Sequence, residues 1–202
     1  MIAVIDYGIG NLRSAEKAFE HLGVPAELVD DPRELESASG VVLPGVGSFG
    51  RCAEALERGG WRGPINDLVD AGVPFLGICV GFQLLFGRSE ESPGARGLDL
   101  LEGDIVRLDP SVKHPQIQWN RIISSRPNLL LPELDAEYWM YFVHSFAATG
   151  APSVVATCDY GGPVVAAVEL ENVYGVQFHP EKSGSSGLEL LGRFASHCES
   201  LR

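Results

Sequence analysis

The stretch Gly77-Ile78-Cys79-Val80-Gly81 limits what this chain can fold into more than any other part of it. A cysteine stands between two glycines where the apolar run Val73-Pro74-Phe75-Leu76-Gly77-Ile78 gives way to the helical run Phe82-Gln83-Leu84-Leu85-Phe86. Strand, tight turn and helix in that order make a nucleophile elbow, written with Cys in place of Ser. The glycines have a steric reason, because side chains at those positions would strike neighbouring strands. A helix N-terminus at the cysteine would raise its nucleophilicity. Taken alone, the same five residues equally describe a small cysteine buried in a core, as free cysteines usually are. To act as a nucleophile the cysteine needs a base.

His179 supplies the best context for one, in Val176-Gln177-Phe178-His179-Pro180-Glu181. An apolar strand end is followed by a proline that cannot continue the ladder. In extended backbone, residues two apart project to the same side, so Glu181 can lie beside the His179 ring, fix its tautomer and stabilise the imidazolium. The bland alternative is a surface His-Pro-Glu turn. A third feature, Pro44-Gly45-Val46-Gly47, is a Gly-rich turn at another strand end. Its amides could meet a developing oxyanion together with the amide of Val80. Alone it would be an ordinary strand-to-helix turn.

The rest of the first half alternates short β-branched runs with helical segments, the pattern of a parallel sheet covered by helices. Strands are expected at Ile2 to Ile5, Ala26 to Val29, Gly40 to Leu43 and Val73 to Ile78, and a helix at about Leu12 to Leu22, stopped by Gly23-Val24-Pro25. Ligands of open α/β sheets bind at the strand C-termini, where both conspicuous turns lie. The second half, with Val154 to Thr157, Val164 to Glu169 and Tyr174 to Phe178 between Gly, Pro and Asn, reads as antiparallel strands and hairpins. The expected fold class is therefore α/β with a mixed, mostly parallel sheet. Glu90-Glu91-Ser92-Pro93-Gly94-Ala95-Arg96-Gly97 is expected to be an exposed, solvated loop.

With 202 residues and 45% hydrophobic composition, the chain can bury one large core, and a single domain over 1–202 is expected. The 27 acidic and 15 basic side chains leave a formal net charge of −12, which disfavours nucleic acid and anionic membrane as partners. The start, Met1-Ile2-Ala3-Val4-Ile5-Asp6, reads as a strand and not a signal peptide. Cys52, Cys79, Cys158 and Cys198 are widely spaced without a CxxC pair, which argues against a zinc site or disulfide framework and fits a reduced cytoplasm. His21, His114, His144 and His197 lack ligand spacing to one another, so neither a metal nor an organic cofactor is expected.

Gly77-Ile78-Cys79-Val80-Gly81-Phe82-Gln83 and His179-Pro180-Glu181 together resemble the two motifs of the class I, Cys-His-Glu triad glutamine amidotransferases, whose α/β fold is flavodoxin-like. Within that family, Asp6-Tyr7-Gly8-Ile9-Gly10-Asn11-Leu12, Pro44-Gly45-Val46-Gly47-Ser48-Phe49, Trp119-Asn120, Tyr141-Phe142-Val143-His144-Ser145 and His179-Pro180-Glu181-Lys182-Ser183 are similar to the glutaminase subunits of imidazole glycerol phosphate synthases. Gln118 stands where glycine is usual there, and Phe82 where methionine is frequent. The resemblance implies Cys79 as nucleophile, His179 as general base and Glu181 as its orienter. It implies an oxyanion hole of main-chain amides at Val46, Gly47 and Val80, and L-glutamine near Gln83, Glu91, His144 and Ser145. Trp119, Asn120, Tyr141 and Lys182 would face a separate cyclase subunit in a heterodimer. The cyclase would use the ammonia in histidine biosynthesis, and its ligand would align the turn at Val46-Gly47. The alternatives are a glutaminase serving another synthase, such as the one forming pyridoxal phosphate, a related cysteine hydrolase or peptidase, and a catalytically silent regulatory subunit.

Overall fold

The computed structural model describes residues 1–134, 137–149 and 152–201. The first half contains β1 (Ile2–Ile5), α1 (Leu12–His21), β2 (Ala26–Val29), β3 (Gly40–Gly45), α2 (Phe49–Arg58), α3 (Arg62–Asp70), β4 (Phe75–Cys79) and the single helical turn α4 (Val80–Gln83). The second carries β5 (Ile105–Arg107), β6 (Gln116–Ser124), β7 (Tyr138–His144), β8 (Phe146–Ala148), β9 (Val154–Asp159), β10 (Pro163–Leu170), β11 (Val173–Val176) and the long helix α5 (Gly184–Ser200). Among the described residues a nine-stranded sheet runs β2-β1-β3-β4-β11-β10-β9-β6-β7, and β5 and β8 pair separately.

Strands β1, β3, β4 and β11 are buried at every residue, as strands covered on both faces must be, which is why they are nearly unbroken apolar runs. Helix α1 turns Ala15, Ala18 and Phe19 onto them, and α5 turns Leu190, Leu191, Phe194 and Cys198. The sheet is mixed, as expected: parallel from β2 through β11, antiparallel from β11 through β7.

Three expectations need correction. The strand near Tyr174 is antiparallel only to β10; on its other edge it runs parallel to β4. The Asn172 amide donates to the Val69 and Val73 carbonyls, 2.9 Å each, and its own carbonyl accepts from the Phe75 N–H, so the turn before β11 is tied to the segment leading into β4. The helical run after Cys79 also stops at one turn, because the Leu84 and Leu85 carbonyls accept from the N–H groups of Leu98, Leu100 and Leu101 instead of continuing the helix. Finally, the 90–97 loop is not merely solvated. Glu91 Oε2 accepts from the Phe49 N–H at 2.7 Å and Ser92 Oγ from the Gly50 N–H at 3.0 Å, satisfying amides that the first turn of α2 leaves unpaired.

At the turn after Cys79 backbone crosses backbone. A Cβ at Gly81 would overlap the Leu43 carbonyl of β3, and one at Gly77 would strike the Gly81 and Phe82 backbone. Gly81→Ala is therefore expected to cost about 3 kcal/mol or more, because backbone is the obstacle and cannot swing aside. A urea unfolding midpoint equal to the parent's would show that the crossing has slack.

Candidate active site

Cys79 ends β4 at φ 56°, ψ −110°, a left-handed conformation that a non-glycine residue keeps only where its surroundings force it. Parallel pairing of β4 with β3 and β11 supplies the force, together with the glycines beneath the turn. The thiol is buried.

His179 arrives from the other half of the sheet. Beyond β11 the Gln177 N–H donates to the Ala166 carbonyl, and the His179 N–H to the Tyr141 carbonyl at 2.9 Å, so the chain crosses from β10 to β7. Pro180 then opens a 3-10 turn, Pro180–Lys182. That turn, rather than extended spacing, brings Glu181 back onto the ring, with His179 Nδ1 to Glu181 Oε1 at 2.8 Å and both side chains buried. Ser183 Oγ donates to the His179 carbonyl and accepts from the Tyr141 N–H at 3.0 Å, which fixes the turn against β7.

With Nδ1 donating to the carboxylate, Nε2 is the nitrogen left for the Cys79 thiol. Burial pulls His179 toward the neutral form, but contact with Cys79 and Glu181 outweighs it and raises its pKa to about 10. The site is thus arranged to keep a proton on this ring.

A cavity of about 210 Å³ opens beside Cys79, lined by Gly47, Val80, Gln83, Glu91, Pro115, Val143, His144, Ser145 and Phe146. Every expected glutamine-contact residue is on this wall. Of the expected oxyanion donors, Gly47 and Val80 line it; Val46 does not, and its carbonyl accepts from Cys52 Sγ at 3.4 Å. Gln83 uses both amide hydrogens, on the Phe146 carbonyl at 2.9 Å and on Gln177 Oε1 at 3.1 Å, so only its carbonyl oxygen remains for a ligand. A larger cleft of about 410 Å³ between the Pro32–Ser37 turn and α3 contains none of these groups, so chemistry rather than volume marks the site. Among the described residues no cluster of three or more His, Cys, Asp or Glu could hold a metal, and no helix is long and apolar enough to cross a membrane.

The residues expected at a partner surface lie beside the triad on the β6–β7 hairpin and the turn after His179. Trp119 and Tyr141 are cross-strand partners with ring centroids 6.1 Å apart, Trp119 is 49% exposed, and Lys182 is exposed. Asn120 turns instead to β9, donating to the Asp159 carbonyl at 2.9 Å. Gln118 is exposed on β6, opposite Phe142.

Gln177 is the residue that reading the sequence missed. Fully buried, it directs Nε2 at Cys79 Sγ, 4.0 Å away, while its Oε1 is engaged by Gln83. The two-residue spacing used to place Glu181 would have found it, since Gln177 and His179 share that spacing. Ile117, Ile123 and Trp139 were missed as well; they extend the exposed apolar strip around Trp119.

The sequence matches the family "Glutamine amidotransferase class-I" over residues 3–198, and the chain belongs to that family. It is 47% identical over 195 residues to the imidazole glycerol phosphate synthase subunit HisH of Methanothermobacter thermautotrophicus, covering 96% of this chain and 97% of that one. Its identity to the HisH subunit of Moorella thermoacetica is 44% over 195 residues, 96% and 93% of the two chains. Among solved structures, a glutamine amidotransferase superposes with a TM-score of 0.79 at 18% identity, over 98% of this chain and 100% of that one, a likeness of fold.

His144 offers a test of the buried wall. Its Nδ1 meets the Phe146 carbonyl at 2.9 Å and its Nε2 Gln116 Oε1 at 3.0 Å. Burial depresses its pKa from the usual 6.5 to about 4, against the Phe146 hydrogen bond. Between those values the unfolded chain binds a proton that the folded chain refuses, so stability falls as pH drops through the window. Thermal unfolding between pH 7 and pH 4 is expected to show a shallower pH dependence in His144→Gln than in the parent; parallel curves would mean that the folded protein accommodates the charge.

Proposed function

We propose that the chain is the glutaminase subunit of an imidazole glycerol phosphate synthase. In this reading it hydrolyses L-glutamine to glutamate and ammonia at Cys79 and passes the ammonia to a cyclase subunit, which forms imidazole glycerol phosphate and aminoimidazole carboxamide ribotide. The observation that carries the reading is the buried line Glu181–His179–Cys79 at a strained elbow, opening on a cavity walled by hydrogen-bonding groups.

Catalysis starts with Cys79 sulfur adding to the side-chain amide carbon, whose carbonyl electrons move onto oxygen. Val80 and Gly47 line the cavity where that oxyanion forms, and their amide N–H groups would receive it, with Val46 a further donor once its peptide turns toward the cavity. The His179 proton goes to the amide nitrogen, the C–N bond breaks, and ammonia leaves a thioester. Water then gives its proton to His179 as it attacks the thioester. Collapse of that adduct releases glutamate and restores Cys79. Glu181 holds the ring through Nδ1 in both halves of the cycle.

Ammonia protonated in bulk water is no nucleophile, so the product has to enter the cyclase without passing through solvent. The exposed strip Ile117, Trp119, Trp139 and Tyr141 suits docking of that subunit in a heterodimer, with Lys182 and Asn120 at its margin. The cytoplasm is the compartment that fits four widely spaced, buried cysteines. A silent regulatory subunit would have no reason to keep a nucleophile, base and carboxylate in contact.

Glutamate release from L-glutamine, measured for the chain alone and with the cyclase and its ribulosyl ligand, tests the whole assignment. Strong stimulation by the liganded partner, abolished in Cys79→Ala while ammonia-driven synthesis persists, is expected; glutamine-driven synthesis surviving in Cys79→Ala would overturn the triad. Trp119→Ala is expected to weaken cyclase binding by about 2 kcal/mol, roughly 30-fold in Kd by calorimetry, as loss of a central aromatic anchor does. An unchanged Kd would move the interface elsewhere.

A further inference from the structure

Tyr7 is a buried tyrosine at the C-terminal end of β1 that the mechanism above leaves unused. Its hydroxyl donates to the Pro44 carbonyl at 2.9 Å. In a parallel ladder successive residues turn their backbone groups to alternate edges; Val41 bonds toward β4, so Pro44 faces the β1 edge, past the last β1 pairing at Val4 and Val42. The hydroxyl therefore meets a carbonyl that the sheet leaves behind. One turn into α2, Cys52 Sγ donates to the Val46 carbonyl at 3.4 Å, and the Cys52 and Tyr7 side chains are close enough to influence each other's protonation. Burial pushes the Tyr7 hydroxyl and the Cys52 thiol upward, so both stay protonated donors.

These two contacts flank one peptide. The Pro44 carbonyl fixes the plane of the Pro44–Gly45 peptide, and the Val46 carbonyl that of the Val46–Gly47 peptide. In a trans peptide N–H and C=O point opposite ways, so the bond to Cys52 aims the Gly47 N–H away from α2. Between the two fixed planes the Gly45 backbone turns to the β4 edge, where Gly45 is paired with Cys79. Gly45 has no room for a side chain, since a Cβ there would lie 2.6 Å from the Gly81 nitrogen and 3.0 Å from the Tyr7 hydroxyl.

We propose that Tyr7 and Cys52 are positioning residues for the oxyanion turn, clamping the Pro44–Gly45 and Val46–Gly47 peptides so that the Gly47 N–H stays aimed. The proposal rests on the glutaminase reading of the site. It differs from a packing role in what it changes, namely stabilisation of the tetrahedral intermediate, with substrate binding and the thiol untouched.

The test uses the liganded complex with the cyclase and the variants Tyr7→Phe, Cys52→Ala and Cys52→Ser. Three quantities are read: kcat and KM for glutamate release, the rate of Cys79 alkylation by iodoacetamide followed by peptide mass spectrometry, and the thermal midpoint. Tyr7→Phe and Cys52→Ala are expected to lose roughly tenfold or more in kcat, the scale of a displaced catalytic group. KM and the alkylation rate should stay within about twofold, and Cys52→Ser, which keeps a donor, should recover most of the loss. Unchanged kcat in both donor-deleting variants, or kcat, alkylation and thermal midpoint falling together, would overturn the clamp. Should the unsubstituted complex release no glutamate, or Cys79→Ala release it, the glutaminase reading itself fails, an outcome distinct from failure of the clamp.

Discussion

Backbone crossing backbone at Gly81 and Leu43 is the constraint on which the rest of this molecule is hung. Where two main chains touch, neither can move to accommodate the other, and the only freedom is to omit side chains. Gly77, Gly81 and Gly45 omit them, and the contact then holds Cys79 in a conformation it would not choose. The strain is small beside the burial of β3, β4 and β11 around it, which is why the turn can stay strained in an otherwise stable sheet.

The second half of the site comes from the opposite kind of structure. β4 and β11 are parallel neighbours at the middle of the sheet, and from β11 outward every pairing is antiparallel. Cys79 ends a strand of the parallel part, whereas His179 sits on a turn anchored to β7 of the antiparallel part. Between them lies a continuous set of buried amides: the Phe146 carbonyl holds Gln83, Gln83 holds Gln177, and Gln177 points at the sulfur. Both Gln83 amide hydrogens are used in that series, so its side chain has a single satisfied orientation.

The central parallel strands were legible in the sequence, because burial on both faces leaves them as apolar runs bounded by glycine and proline. Cys79, His179 and Glu181 were legible for a related reason: each stands where such a run breaks off. The hairpin of β6 and β7 was not legible. Gln116 to Ser124 mixes exposed Ile117, Trp119 and Ile123 with polar neighbours, and a strand with apolar side chains in solvent carries no clean alternation. Trp119, Asn120 and Tyr141 were reached only through resemblance. Helix α5 was hidden by its first turn, Gly184-Ser185-Ser186-Gly187, where residues of poor helix propensity are kept because Gly187 lies against the Pro180 carbonyl. Gln177 has the right spacing from His179, but its role comes from Gln83 and Cys79, neighbours distant in the chain.

Strand β7 has two edges and two duties. One of its carbonyls, that of Tyr141, accepts the N–H of His179, while the Tyr141 ring stands on the outer strip beside Trp119. The same residue thus belongs to the outside of the molecule by its side chain and to the setting of His179 by its main chain. A force on the strip has one hydrogen bond to cross before it reaches the histidine, with no hinge, helix or loop between. It also means that this surface cannot drift freely in evolution: any substitution that shifts β7 to suit a new neighbour shifts His179 with it, so the two must be selected as one.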